Sequence, residues 1–146
     1  MYRFFSVYFM LVGTSLAILF DGNLTEIYGN GTVYCNLPNQ WWCFKVTLYE
    51  TDYPFTDDKI DFFGSRCTRK PSYNYKLSGK QYGDGIFWNT FYELTLFINH
   101  NCTNTGAKIR QIERITQFAP TSAQYVEIKT WNSSITNLGQ ESAGYL

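Results

Sequence analysis

Apolar and polar residues alternate with the two-residue period of a β-strand in two segments of the chain, 43–50 and 91–98. Every second residue in these segments is apolar. We expect those residues to face the core, because strand side chains point alternately to the two sides of a sheet. The expected core residues are Phe44, Val46, Leu48, Tyr92, Leu94, Leu96 and Ile98.

Turn signals rich in Gly, Pro and Asn recur at short intervals and divide the chain into seven predicted strands. Their ranges are 31–36, 43–50, 59–68, 73–77, 91–98, 108–118 and 124–131. The segment 108–118 is ambiguous, since Ile109, Ile112 and Ile115 also have the spacing of a helical stripe. Aromatic residues make up 19% of the chain and favour strands. Short strands with frequent turns predict an all-β sandwich.

The first twenty residues are expected to be a secretory signal peptide. Arg3 precedes an apolar run, and cleavage is expected near Ala17–Phe20. A membrane anchor is the alternative, but polar residues interrupt the run, and it is shorter than the roughly 20 apolar residues that span a bilayer. We expect a mature chain without a transmembrane segment, made of one domain (21–139) and a flexible tail (140–146).

The balance of basic and acidic residues limits the kinds of molecule that the protein is expected to bind. The chain has 12 basic and 12 acidic residues, and Arg3 is the only one of them in the predicted signal peptide. Nucleic-acid binding needs a clustered basic surface. We therefore expect no nucleic-acid partner.

All four cysteines follow the predicted signal peptide, and an even count in a secreted chain indicates two disulfides. They are Cys35, Cys43, Cys67 and Cys102. A metal site is the weaker alternative, because no C-x-x-C pair is present and His100 is the single histidine. We expect no metal and no cofactor.

Strand register predicts how the cysteines pair. If the second and third predicted strands form an antiparallel hairpin with Glu50 opposite Ile60, then Cys43 lies opposite Cys67. Directly opposed residues of two antiparallel strands have a Cα–Cα distance that a disulfide can span.

The remaining bridge would then join Cys35 to Cys102. Four cysteines permit three connectivities, so a peptide that links Cys35 to Cys43 would contradict this pairing.

Four sequons also point to an extracellular location, although each is a weak match by itself. Their asparagines are Asn23, Asn30, Asn101 and Asn132. Asn101 is the least favourable, because the next residue is a cysteine that is expected to be bridged.

Two groups have residue types that could support chemistry. Asp52, Asp57, Asp58 and Asp61 could offer oxygen ligands to calcium, but their spacing does not fit an EF-hand loop. A solvated acidic loop is the preferred interpretation. His100 would need an oriented partner to act as a general base, and we expect a structural role for it. No catalytic residue is predicted.

Exposed aromatic residues are the main candidates for a binding surface that meets a lipid, a sugar or a small hydrophobic molecule. The candidates are Trp41, Trp42, Phe87 and Trp88, with Phe91 nearby. Core and edge packing is the favoured interpretation of these residues, and the binding surface is the alternative. Arg66, Arg69 and Lys70 form a small basic cluster, for which a solvated turn is favoured over an anion site.

Several short motifs follow one another from about residue 29 to 139: Gly-x-Val-x-Cys-Asn at 31–36, Lys-Val-x-Leu-Tyr-Glu at 45–50, the acidic segment 57–61, and the segments 75–79, 98–102 and 137–139. Their order resembles the nematode transthyretin-like family of secreted proteins. The segment 68–72 departs from the family pattern. Cys43 and Cys67 look like additions to it, whereas Cys35 looks like the family's anchor to the His100 loop.

The resemblance implies a transthyretin-like (prealbumin-like) sandwich of seven to eight strands with two disulfides. It implies a secreted, non-enzymatic binding protein whose ligand is a lipid, a small hydrophobic molecule or a cell-surface partner. The alternatives are an enzyme similar to the hydroxyisourate hydrolases and an oligomeric hormone carrier. The hydrolase is disfavoured, because its several histidines and its C-terminal Tyr-Arg-Gly-Ser are missing.

Overall fold

The computed structural model describes residues 23–51, 56–83, 90–128 and 131–146. The described chain is all-β, with strands β1 (Leu24–Tyr34), β2 (Trp42–Glu50), β3 (Asp58–Thr68), β4 (Ser72–Tyr82), β5 (Phe91–His100), β6 (Arg110–Pro120), β7 (Tyr125–Ile128), β8 (Ser133–Ser134) and β9 (Gln140–Glu141). These residues include no helix long and apolar enough to cross a bilayer. The predicted signal peptide, 1–20, lies outside the described residues.

The strands form two sheets. The four-stranded sheet has the order β4-β1-β7, and β8 also pairs with β1. The five-stranded sheet has the order β3-β2-β5-β6-β9. The chain therefore passes from one sheet to the other between β3 and β4. Most of the segment 108–118 is a strand, since β6 begins at Arg110 and pairs antiparallel with β5 along its length.

A single core lies between the sheets, and the predicted core faces of β2 and β5 are confirmed. Each of the seven expected core residues is at most 1% exposed. The four-stranded sheet contributes Ile27, Val33, Tyr75 and Leu77 to the same core.

Both predicted disulfides are present in the structure, Cys35–Cys102 and Cys43–Cys67. Cys43 lies directly opposite Cys67, as the register argument requires. The register at the other end of the hairpin was predicted wrongly: Glu50 pairs with Asp58 rather than Ile60. Two irregularities in the β2–β3 ladder, each of the kind that a β-bulge makes, account for the shift.

The C-terminal residues 140–146, predicted to be a flexible tail, are attached to the five-stranded sheet. Gln140 and Glu141 pair with β6. The backbone N–H of Ser142 donates to the carbonyl of Ile109 at 3.0 Å, and Lys45 Nζ donates to the carbonyl of Tyr145 at 2.8 Å. The last residues thus lie over the outer side of this sheet.

Candidate binding surface

Among the described residues, the strands of the five-stranded sheet carry five aromatic side chains on their outer side, which we call the aromatic face. The alternation of β2 and β5 directs every second residue away from the core, and strand pairing puts the directly opposite residues of β3 and β6 on the same side. The aromatic face consists of Tyr49, Phe62, Phe91, Phe97 and Phe118. Phe62, Phe91 and Phe118 are 55%, 51% and 58% exposed.

Thr47 lies at the centre of the aromatic face, with Phe62 directly opposite on one neighbouring strand and Phe97 directly opposite on the other. The rings of Tyr49 and Phe97 meet edge to face, with centroids 5.2 Å apart. On the β3 side, Lys59 Nζ lies 5.2 Å from the centroid of Phe62. Aromatic side chains therefore border a small polar centre.

This polar centre is the floor of an open groove of about 330 Å³. The groove is lined by Lys45, Thr47, Tyr49, Asp57, Phe97, Asn99 and Gln111. Its volume is at the lower end of the range for small-molecule sites, roughly 300–1,000 Å³.

Thr47 and Asn99 form the floor, and both are buried although they point away from the core. Thr47 is 7% exposed and Asn99 is 8% exposed. Among the described residues, neither side chain makes a hydrogen bond. Within the described residues, neither side chain has a polar atom that is both sealed from solvent and without a hydrogen-bond partner. The hydroxyl and the amide thus open into the groove.

The C-terminal segment 142–145 lies against three residues that line the groove, Lys45, Asn99 and Gln111. Its contacts with Lys45 and Ile109 hold it across the sheet, and Ser142 Oγ donates to Gln111 Oε1 at 3.4 Å. Gly144 lies so close to Asn99 that a Cβ added there would be 2.9 Å from Asn99 Nδ2. The segment predicted to be a free tail is therefore part of the candidate site.

The two predicted surface tryptophans have opposite environments. Trp41 is exposed, and the guanidinium carbon of Arg69 lies 5.9 Å from its ring centroid. Trp42 is buried in the core, where its Nε1 donates to the carbonyl of Lys70 at 2.9 Å. Trp42 is therefore not a surface residue, because it shares the inward phase of Phe44. Phe87 and Trp88 lie outside the described residues.

The basic cluster does not form one anion site. Arg69 lies over Trp41, whereas the guanidinium carbon of Arg66 lies 5.2 Å from the centroid of Phe63. Lys70 contributes its carbonyl to the bond with Trp42. The three residues thus serve separate local contacts.

The outer side of the four-stranded sheet has a different character, and we call it the tyrosine face. Tyr28 and Tyr125 pack with centroids 5.3 Å apart, and Lys80 Nζ forms an ion pair with Glu26 at 2.8 Å. The Lys80 ammonium keeps the pKa of the Glu26 carboxyl below its usual value. The sequon residue Asn30 is exposed on this face.

Two of the sequon asparagines have defined hydrogen-bonding roles. Asn132 is exposed, and its Oδ1 accepts the backbone N–H of Thr32 at 2.9 Å. Asn101 is half-buried, and its side chain bonds to the backbone on both sides: Oδ1 accepts from the N–H of Cys43 at 2.7 Å, and Nδ2 donates to the carbonyl of Gly106 at 3.4 Å.

His100 is fully buried and bonded through both ring nitrogens. Nδ1 accepts the backbone N–H of Cys102 at 3.2 Å, and Nε2 lies 3.2 Å from the carbonyl oxygen of Leu138. A carbonyl can only accept, so the ring is the neutral tautomer with its proton on Nε2. Burial lowers the pKa of His100 to about 4; the Leu138 carbonyl opposes this shift and Arg110 adds to it. This arrangement fits the structural role expected for His100.

The aspartates of the proposed acidic loop bond in different directions. Asp61 Oδ2 accepts the backbone N–H of Ser78 at 2.7 Å, and Asp58 Oδ2 accepts from Gln81 Nε2 at 3.1 Å. Asp57 lines the groove, and Asp52 lies outside the described residues. Two of the carboxylates therefore connect β3 to β4.

Comparison with known proteins yields a family for this chain. No curated protein and no solved structure matches it. A family model does match, over residues 30–143, which are most of the chain. The family is described by its nematode source, in agreement with the expected origin, and no activity is named. The chain belongs to the family described as "Caenorhabditis elegans protein of unknown function (DUF870)".

Proposed function

We propose that this protein is a secreted, non-enzymatic binding protein with a transthyretin-like sandwich, and that it binds its ligand on the aromatic face. The observation that carries the proposal is the exposure of Phe62, Phe91 and Phe118 on the outer side of the sandwich that also bears the groove. Soluble proteins seldom expose a contiguous apolar patch that has no interaction role.

The two outer sides of the sandwich differ in a way that supports this choice. The tyrosine face has phenolic hydroxyls, the Glu26–Lys80 ion pair and the Asn30 sequon, all of which suit contact with water or a glycan. The aromatic face has phenylalanines, and covering their apolar surface lowers the free energy. A glycan on Asn30 would leave the aromatic face open.

Two features support an extracellular location. Two disulfides close the fold, and such bonds persist mainly in oxidising compartments. The predicted signal peptide would deliver the chain there.

The surroundings of His100 weigh against a hydrolase. A general base must reach the proton that it removes, whereas both nitrogens of this ring are bonded to the backbone at a position with no exposed surface. Turnover of hydroxyisourate by the purified protein would overturn the non-enzymatic assignment.

The test is to express the full chain in a secreting eukaryotic cell, collect it from the medium and apply it to lipid and glycan arrays. We expect the protein in the medium and saturable binding to at least one lipid or glycan class. Retention of the chain inside the cell, or no binding on either array, would contradict the proposal.

A further inference from the structure

The floor of the groove has hydrogen-bonding capacity that the described protein atoms do not use. Thr47 and Asn99 are each more than nine-tenths buried, and neither side chain has a hydrogen-bond partner among the described residues. A polar side chain in such a position is costly unless a ligand or water satisfies it. Together they offer a hydroxyl, an amide N–H and an amide oxygen within one small groove.

The walls of the groove are aromatic. Tyr49 and Phe97 line it, and their edge-to-face packing fixes the position of both rings. Aromatic side chains beside a polar floor suit a ligand that has one apolar face and several hydrogen-bonding groups.

The charged residues at the rim are of opposite sign. Lys45 and Asp57 both line the groove, and the Lys45 ammonium already donates to the carbonyl of Tyr145. One positive and one negative group do not select a charged ligand. They act as a further donor and acceptor for a neutral one.

We propose that this groove binds one sugar residue of a glycan. A pyranose has a face of C–H groups for the rings of Tyr49 and Phe97. Its hydroxyls both donate and accept, as the hydroxyl of Thr47 and the amide of Asn99 require. The inference rests on the proposed function, because it names the ligand class of the aromatic face.

The polar floor also argues for a sugar over a lipid chain. An acyl chain in this groove would cover Thr47 and Asn99 without satisfying either of them, and that raises the free energy of the complex. The groove is also small, so it suits one sugar ring better than a long acyl chain.

The test uses the secreted full-length protein and the methyl glycosides of glucose, galactose, mannose and N-acetylglucosamine. Each is titrated while backbone amide NMR shifts are recorded. We expect saturable shifts for at least one sugar, confined to the residues around Thr47, Phe97 and Asn99. Absence of shifts with all four sugars would overturn the inference.

The variant Thr47→Val separates binding from folding. Because the Thr47 hydroxyl has no protein partner among the described residues, its removal should leave the unfolding midpoint unchanged or raised. Sugar affinity should fall about tenfold, the effect of losing a buried hydrogen-bond partner. The matched control is Thr105→Val at an exposed loop position, which should change neither value. Unchanged sugar affinity in Thr47→Val would contradict the inference.

A measurement of binding to lipid vesicles distinguishes failure of this inference from failure of the proposed function. Binding to vesicles of phosphatidylcholine and phosphatidylserine, with no shift caused by any sugar, would overturn the sugar assignment and leave the binding function in place. Failure to bind sugars, glycans and vesicles would overturn both.

Discussion

His100 Nε2 donates to the carbonyl oxygen of Leu138 at 3.2 Å, and this bond ties the end of β5 to the segment before β9. The other ring nitrogen accepts from Cys102, whose sulfur is bonded to Cys35. One neutral ring therefore connects the disulfide loop to the segment that leads into β9.

This neutral ring predicts acid sensitivity. The pKa of His100 is about 4 in the fold, against about 6.5 in an unfolded chain. Between these values the unfolded chain binds a proton that the folded protein does not. The stabilisation is therefore complete above about pH 6.5 and is lost as the pH falls to about 4, on the order of 3 kcal/mol in all.

The measurement is urea unfolding at several pH values between 4 and 7, for the wild type and for His100→Gln. The wild type should lose more stability than the variant over this interval, because the variant lacks the titrating ring. Parallel curves for the two proteins would contradict the assignment of a buried neutral histidine.

The two disulfides should differ in their resistance to reduction. Cys67 is exposed and Cys43 is half-buried, whereas Cys35 and Cys102 are both buried. A thiolate must reach a sulfur to attack it, so mild reductant at neutral pH should open Cys43–Cys67 first. Differential alkylation followed by peptide mass spectrometry measures the order. Alkylation of Cys35 and Cys102 before Cys43 and Cys67 would contradict this prediction.

Gly31 is predicted to be intolerant of any side chain. A Cβ there would overlap the carbonyl oxygen of Trp131 and lie 2.6 Å from the Tyr75 hydroxyl, which donates to that same carbonyl at 2.7 Å. Gly31→Ala should therefore destabilise the fold by about 1–3 kcal/mol. Chemical denaturation measures the change.

Gly64→Ala is the matched control for this substitution. A Cβ at Gly64 would have its nearest neighbours at 3.8 and 3.9 Å, which is ordinary contact. Its stability should equal that of the wild type or exceed it, because alanine restricts the unfolded chain. Equal losses at the two positions would show that the contact with Trp131 is not the cause.

Glycan use should differ between Asn132 and Asn101. A glycan replaces one hydrogen on Nδ2 and leaves Oδ1 as an acceptor, so Asn132 can be modified and still accept from Thr32. Asn101 is half-buried with both its side-chain oxygen and its nitrogen bonded to the backbone. Glycopeptide mapping of the secreted protein should find Asn132 occupied and Asn101 bare. The reverse pattern would contradict the prediction.

Local periodicity was sufficient to predict the core and much of the sheet. The alternation of apolar residues around Leu94 predicted the buried face of β5. The register of the predicted hairpin placed Cys43 opposite Cys67 and so predicted their disulfide. The same alternation places Trp42 in phase with Phe44 and so predicts its burial. Treating Trp41 and Trp42 as one surface pair ignored that phase.

The groove could not be predicted in the same way. Phe62 comes opposite Thr47 only after the irregularity between Phe44 and Val46, where Gly64 lies on β3. A glycine inside a strand indicates a bulge but does not determine how far the register shifts. The rim depends on contacts between distant parts of the chain, such as that of Lys45 with Tyr145. Residues 140–146 are mostly small or polar, so their composition suggested a free tail.

The most direct test of the binding face compares serine substitutions on the two outer sides of the sandwich. Phe62→Ser and Phe118→Ser alter the aromatic face, and Tyr28→Ser and Tyr125→Ser alter the tyrosine face. All four positions are exposed, so the folded fraction should stay the same. The measured quantity is the dissociation constant for the lipid or glycan that the arrays select.

We predict that each phenylalanine variant binds about tenfold more weakly than the wild type, as expected for apolar anchors of an interface. Both tyrosine variants should bind like the wild type. Loss of affinity in the tyrosine variants alone, or equal affinity in all four, would contradict the assignment of the aromatic face as the binding surface.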